Sequence, residues 1–420
     1  MFFIQLAVIL LACHLFGWLA ERLGQCRVVG EITAGIVLGP TVFGRLESFL
    51  GQSVGLFETQ HIGWLAHVAD LGLIFLMFQV GVHINQRHPE ASPQGRFAAP
   101  SIALLGLVVP FALGVGVALV AHEHLAPTYS KWGFAWFCGV ALAVSAVPVM
   151  TRIVQSLALQ DTLVAHVTLR AAVITDVVGW VILGAIVFCS RVDGDPLDAR
   201  YFAAQLLVAF AGFYGVTRCL VIPWIRRCQA RGEHAAIMPV VISYVLLCAW
   251  GTDWLGLHCA IGALLAGLMM KQVPEFTDYW RSQVEGFLNF VLLPVFFACA
   301  GIKTSFDSVG SNENLFWLAV FLVCAFAGKF GGAYLGARVS GLQRTDSAIV
   351  GALMNTRGLM ELIILAIGLE LELISIDAYT VLVFMALIIT ATTTPLVRRL
   401  LRPDPHVFLS KEMLQTRSSH

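Results

Sequence analysis

Between His166 and Trp180 the chain reads His-Val-Thr-Leu-Arg-Ala-Ala-Val-Ile-Thr-Asp-Val-Val-Gly-Trp, part of an apolar run long enough to cross a bilayer. Moving a carboxylate into hydrocarbon costs several kcal/mol, so an acid persists there where a cavity, a bound cation or a proton compensates it. Asp176 is therefore the first candidate for an ion or proton site. Four more ionisable residues fall inside apolar runs: Arg170, Lys329, Arg357 and Glu361. Arg357 and Glu361 are four apart, the spacing that places an ion pair on one helix face, and are read first as a structural pair. Lys329 lies in Gly328-Lys-Phe-Gly-Gly-Ala-Tyr-Leu-Gly336, where two small-x-x-x-small pairs let a neighbouring helix come close. It needs a partner, either Asp176 or backbone at a helix break, unless it snorkels to the near end of its span.

Two stretches supply such breaks. Val144-Ser-Ala-Val-Pro148 sets Pro148 inside an apolar run, where it removes a backbone hydrogen bond and frees carbonyls. Met354-Asn-Thr-Arg-Gly358 sets Asn355, Thr356 and Gly358 at similar depth. Irregular backbone in a membrane is tolerated where protein or a water-filled cavity surrounds it. Two breaks with an acid between them in sequence suggest a midplane ion site built from carbonyls and half-helix dipoles.

The elements that position these residues are helices. Hydrophobic residues make up 58% of the chain and charged residues 12%, with a mean hydropathy of +0.82; a soluble domain carries about 25% charged residues. The chain reads as an all-α polytopic membrane protein, one membrane domain with about thirteen spans by the criterion of roughly 17 to 25 apolar residues. They run near Phe3–Ala20, Val28–Gly44, Ile62–Gly81, Phe97–Val120, Gly133–Gln155, Leu163–Cys189, Phe202–Ile225, Ala235–Trp250, Gly256–Met270, Phe287–Ile302, Leu315–Ala337, Ser347–Gly368 and Ala378–Val397. Residues 401–420 form a short polar tail, so any nucleotide-sensing domain would have to be a separate soluble subunit. One set of alternate loops, with the tail, holds Arg22, Arg27, Arg87, Arg96, Arg152, Arg226, Arg227, Arg231, Lys271, Arg281, Arg338, Arg344, Arg398, Arg399 and Arg402. The other holds Arg45, Lys131, Arg191, Arg200 and Lys303. This bias predicts an outside N-terminus and a cytoplasmic C-terminus, in the inner membrane if the source is a bacterium.

Other chemistries are disfavoured. The net charge of +0 and the lack of a long like-charge block argue against nucleic acid. Most of the 10 cysteines sit in apolar runs without metal spacing and read as packing residues. The N-terminus lacks a basic n-region and a cleavage site and reads as a first helix. His122-Glu-His124 reads as solvated loop, Gly114-Val-Gly116 follows no strand, and neither a nucleophile elbow nor a zincin helix occurs. No cofactor and no enzymatic activity are expected. Asp70, near the predicted outer end of its span, is an entry or interfacial residue.

Leu23-Gly-Gln-Cys-Arg-Val-Val-Gly-Glu-Ile-Thr-Ala-Gly-Ile-Val-Leu-Gly-Pro40, Thr175-Asp176, Leu293-Pro-Val-Phe-Phe297 and Met354-Asn-Thr-Arg-Gly-Leu-Met-Glu-Leu362 occur in this order. Together they resemble the monovalent cation:proton antiporters of the second antiporter family, which includes Kef-type and plant CHX-type exchangers. The resemblance implies an inverted-repeat fold and a homodimer. Its core (about 97–190 and 315–397) would carry two crossed broken helices and move against a dimerisation scaffold (about 1–84 and 202–302). It further implies that Asp176 binds the ion and proton, with Lys329 as the basic residue near it. Arg357 and Glu361 match the pattern at the broken helix, and Ser145 matches a small hydroxyl residue. Thr175 stands where electrogenic relatives carry a second Asp and many others an Asn or Gln. His166 stands where many have Arg, and Arg170 where they have a small residue, which suggests pairing of Arg170 with Glu361.

The expected function is exchange of Na+ or K+ for H+ at Asp176, with Ser145, Thr175 and carbonyls near Pro148 completing an oxygen shell. A single carboxylate favours electroneutral exchange. The alternatives are a carrier of an organic or anionic solute bound by Arg170 or Arg357, and a ligand-gated channel.

Overall fold

The computed structural model describes residues 2–25, 27–39, 63–83, 93–159, 162–191, 208, 210–255, 258–270, 276, 279–304 and 311–401. Arg45, Arg87, Arg200, Lys271, Arg402, the start of the seventh expected span and all but the first residue of the expected tail lie outside them. All regular structure among the described residues is helical.

In chain order the helices are α1 (Phe2–Arg22), α2 (Arg27–Leu38), α3 (Gly63–His83), α4 (Pro93–Leu125), α5 (Lys131–Ala143), α6 (Val147–Ser156), α7 (Leu163–Arg191), α8 (Ile222–Arg231), α9 (His234–Trp254), α10 (Cys259–Met269), α11 (Leu293–Ile302), α12 (Asn312–Val339), α13 (Arg344–Met354), α14 (Leu359–Glu370) and α15 (Ile376–Leu401). Eight described helical stretches are long and apolar enough to cross a membrane, corresponding to the expected first, third, fourth, sixth, eighth, tenth, eleventh and thirteenth spans. The fifth and twelfth spans each fall as a pair of short helices, α5 with α6 and α13 with α14. The ninth is the 11-residue α10.

Proline sets several local features. Pro223 and Pro294 follow π-helical turns at Thr217–Val221 and Leu288–Leu292. A proline ring clashes with the carbonyl four residues back, and a widened turn relieves that contact. The Leu293-Pro-Val-Phe-Phe297 stretch thus begins α11 where the π turn ends.

The helices pack mainly in two groups. In the first, α2 packs on α1 and α11, α3 on α10 and α11, and α9 on α10. Trp280 joins this group through edge contacts with Phe75 and Phe78 of α3. In the second, α4 packs on α5, α7 and α12, while α13 touches α7, α12 and α15. Lipid replaces water as solvent, so close van der Waals packing between helices does much of the work. A Cβ on Gly332 would stand 2.4 Å from the Leu105 carbonyl oxygen of α4, and one on Gly336 2.7 Å from the Ile102 Cα. The small residues around Lys329 therefore serve the approach of α4. Between the groups, α15 packs on α2, and the Tyr379 hydroxyl donates to the Ala300 carbonyl at 2.9 Å.

Candidate ion site at the crossing of two broken helices

The α5 helix stops where Val144 turns extended (φ −74°, ψ 151°). Pro148 enters as the second residue of α6, where a backbone N–H has no intrahelical acceptor and its loss costs nothing. The α13 helix stops at Met354, and α14 restarts after Gly358, whose φ of 148° and ψ of −126° lie in a region open essentially to glycine alone. The two breaks are bonded to each other: Ala146 N–H donates to the Thr356 carbonyl at 3.2 Å, and the Ser145 hydroxyl to the Met354 carbonyl at 3.4 Å. Thr356 closes its own turn with a bond from Oγ1 to the Leu353 carbonyl at 2.9 Å, and Thr390 of α15 holds the Arg357 carbonyl at 2.8 Å.

The broken end of α5 leaves carbonyls that α-helical bonding cannot satisfy. Arg357 meets two of them, Nη1 donating to Ala141 at 2.9 Å and Nη2 to Leu142 at 2.8 Å. Lys329 Nζ donates to the third, Ala143. Two cations therefore sit on the negative end of the α5 dipole. Of the partners open to Lys329, the backbone at the helix break takes its hydrogen bond, and its complete burial excludes snorkelling. Arg357 Nη1 also holds Glu361 Oε1 at 3.0 Å, with both side chains buried. The pair forms, yet not on one helix face: Arg357 lies in the break, and Glu361 in the first turn of α14. The expected pairing of Arg170 with Glu361 is corrected, since Glu361 Oε1 is taken by Arg357 and Oε2 makes no hydrogen bond. Arg170 is half-buried on α7.

Asp176 is 1% exposed, and neither carboxylate oxygen has a hydrogen-bond partner. The Lys329 ammonium acts on it through space, and the backbone N–H of Ser145 faces it without completing a hydrogen bond of normal geometry. Lys329 in turn feels Arg357 and Glu361. Thr175 is buried beside Asp176, its hydroxyl donating to the Ala172 carbonyl at 2.8 Å, which leaves its oxygen lone pairs for any other role. Asn355, the cap of α13, is 1% exposed with neither amide atom partnered. The crossing thus combines hard oxygen acceptors in a buried setting with fixed positive charge nearby. Such ligands suit a hard cation or a proton, and among the described residues no cluster of three His, Cys, Asp or Glu that could hold a metal ion is present.

The comparisons with known proteins agree with this architecture. The family described as "Sodium/hydrogen exchanger, transmembrane" matches residues 8–401. The chain belongs to that family. Cation/H(+) antiporter 20 of Arabidopsis thaliana is 31% identical over 412 residues, covering 95% of this chain and 48% of the plant protein. The chain spans about half the length of the first such relatives. The Na(+)/H(+) antiporter NhaS4 of Synechocystis sp. is 30% identical over 408 residues, covering 96% of this chain and 97% of its own. The structure of the sodium proton antiporter MjNhaP1 from Methanocaldococcus jannaschii has the same fold, with a TM-score of 0.59 at 18% identity over 93% of each chain.

Some features were not singled out from the sequence. Arg27 Nε holds the buried Glu31 Oε1 at 2.9 Å, a pair whose four-residue spacing lay inside the conspicuous 23–40 stretch. His258 Nε2 approaches Glu370 Oε2 at 3.7 Å, and Asp70, His67 and Lys303 lie within electrostatic reach. That cluster draws on α3, the residue after α11, the end of α14 and the residue before α10, so no local motif announces it. By contrast, His122-Glu-His124 was read from the sequence as solvated loop and instead forms the last turn of α4, with His122 Nε2 bonding the Tyr129 carbonyl at 2.8 Å and His124 Nδ1 meeting Glu313 of α12 at 2.5 Å.

Proposed function

We propose that the protein is a secondary active antiporter exchanging Na+ or K+ for H+ by alternating access, with Asp176 as the group for which cation and proton compete. The observation that carries this reading is the Asp176 carboxylate, buried at the crossing with neither oxygen hydrogen-bonded. A carboxylate so placed is not stable as a bare charge and must be neutralised by a proton or by a cation. Lys329 is bonded to the Ala143 carbonyl and makes no ion pair with Asp176, so it acts on the carboxylate through space, while Arg357 is held by the Ala141 and Leu142 carbonyls and Glu361. Competition for one site couples the two fluxes, and one carboxylate taking one monovalent ion favours electroneutral exchange.

Ser145 and Thr175 supply oxygen near Asp176, with backbone of the Val144–Pro148 break. The second helix group moves against the first, carrying the crossing between the two sides. The chain acts as a homodimer with the end of α15 on the cytoplasmic side, as the Lys/Arg bias indicates. The names of NhaS4 and of the yeast K(+)/H(+) antiporter 1, 30% identical over 424 residues, support a monovalent cation as substrate.

The test is proton movement in sealed proteoliposomes under an imposed pH gradient, with Na+, K+ or Li+ added in turn, for the wild type and Asp176→Asn. Dissipation by one of these cations in the wild type and not in the variant supports exchange at Asp176. Failure of all three to act on the wild type over roughly the pH range of ordinary histidine and amine titration, about 6 to 9, refutes it.

A further inference from the structure

At the arginine-rich end of the bundle, a cavity of about 600 Å³ opens between the α1–α2 turn and the last turns of α15. Leu23, Phe326 and Leu396 form apolar walls, and Arg398 and Arg399 stand at its polar end. Both arginines are exposed, and neither makes an ion pair or hydrogen bond with a described residue. Arg398 lies across the opening, its Nη1 3.6 Å from where a Cβ on Gly24 would sit.

Each feature has an ordinary use alone, since arginines near a helix C-terminus complement its dipole. Their combination is more specific. Walls of this kind accept an acyl chain, and guanidinium groups grip a phosphate in bidentate fashion. The α15 helix is long and apolar enough to cross the membrane, and its arginines fall in its last turn, at headgroup depth.

We propose that this cavity binds an anionic phospholipid, its phosphate on Arg398 and Arg399 and an acyl chain along Leu23, Phe326 and Leu396. Phosphatidylglycerol has the required chemistry. The bound lipid bridges the two helix groups, because the α1–α2 turn belongs to one and α12 and α15 to the other. It therefore sets how α15 rests against the turn. The inference concerns binding and does not depend on the transport reading.

The experiment uses the purified, delipidated full chain, with binding of phosphatidylglycerol followed by native mass spectrometry and by the shift in melting temperature. Phosphatidylglycerol should bind the wild type roughly tenfold or more tightly than phosphatidylcholine, as expected for a headgroup charge met by two basic residues. Arg398→Gln with Arg399→Gln should abolish that preference while the melting temperature in phosphatidylcholine stays at the wild-type value. Ala391→Trp, which fills the cavity and keeps both arginines, should weaken phosphatidylglycerol equally and serves if the double variant fails to fold. Undiminished phosphatidylglycerol binding in both the arginine and the Ala391 variants overturns the proposal. So does equal stabilisation by glycerol 3-phosphate, which would make the ligand a soluble phosphate.

Discussion

Replacing Arg357 with methionine tests the crossing most severely. Its guanidinium donates to Ala141, Leu142 and Glu361 at 2.9, 2.8 and 3.0 Å, all in a buried setting. Removing one partner of a buried ion pair costs about 3–5 kcal/mol because the other charge is left uncompensated. Each buried carbonyl that loses its donor adds roughly 1–3 kcal/mol. Arg357→Met should therefore cost at least about 5 kcal/mol, a large fraction of a stability near 5–15 kcal/mol. Glu361→Leu alone should be milder, since Arg357 keeps its two carbonyl acceptors. The double variant Arg357→Met with Glu361→Leu should recover about 3 kcal/mol over Arg357→Met, because the stranded carboxylate is gone while the carbonyls stay unmet. The assay is reversible unfolding in mixed micelles, with all four proteins compared as a double-mutant cycle. The reasoning fails if Arg357→Met lies within about 1 kcal/mol of wild type, or if the double variant costs the full sum of the two single changes.

Gly358→Ala should lower stability by about 1–3 kcal/mol, since a φ of 148° strains any Cβ-bearing residue and the new Cβ would meet Val149 Cγ2 at 3.0 Å; a melting curve checks it. Gly332→Leu should separate α12 from α4 and cost about 1–3 kcal/mol or more, read from the same curve, because even a Cβ there lies 2.4 Å from backbone oxygen. Asn355→Leu should leave stability unchanged or raised, as it removes two unpartnered buried amide atoms, yet it should slow cation-dependent proton movement in proteoliposomes if the amide serves the ion site. His258→Ala should cost about 0.5–2 kcal/mol, because Nδ1 accepts the Ala260 N–H at 3.2 Å as the cap of α10. His258→Asn should restore most of that loss in thermal unfolding.

Composition and run length alone placed the chain in a membrane, because polar backbone in lipid leaves few solutions besides long apolar helices. Pro148 and Gly358 marked both helix breaks, since one removes a donor and the other permits a backbone that other residues resist. Asp176 stood out because an acid in such a run is costly wherever it ends up. The partners were a different matter. Four-residue spacing named Arg357 and Glu361 as a pair, but it could not show that Arg357 leaves the helix to cap α5, more than 200 residues earlier in the chain. Lys329 had two plausible partners in sequence, and only the meeting of α12 with the broken end of α5 chose the Ala143 carbonyl. Arg170 was matched to Glu361 by comparison with the family pattern, whereas Arg357 already occupied Oε1 of that carboxylate. Periodicity and composition fix what each segment is, because they act within a few residues. Which charge meets which carbonyl depends on how helices distant in sequence cross, and that was decided by the tertiary packing.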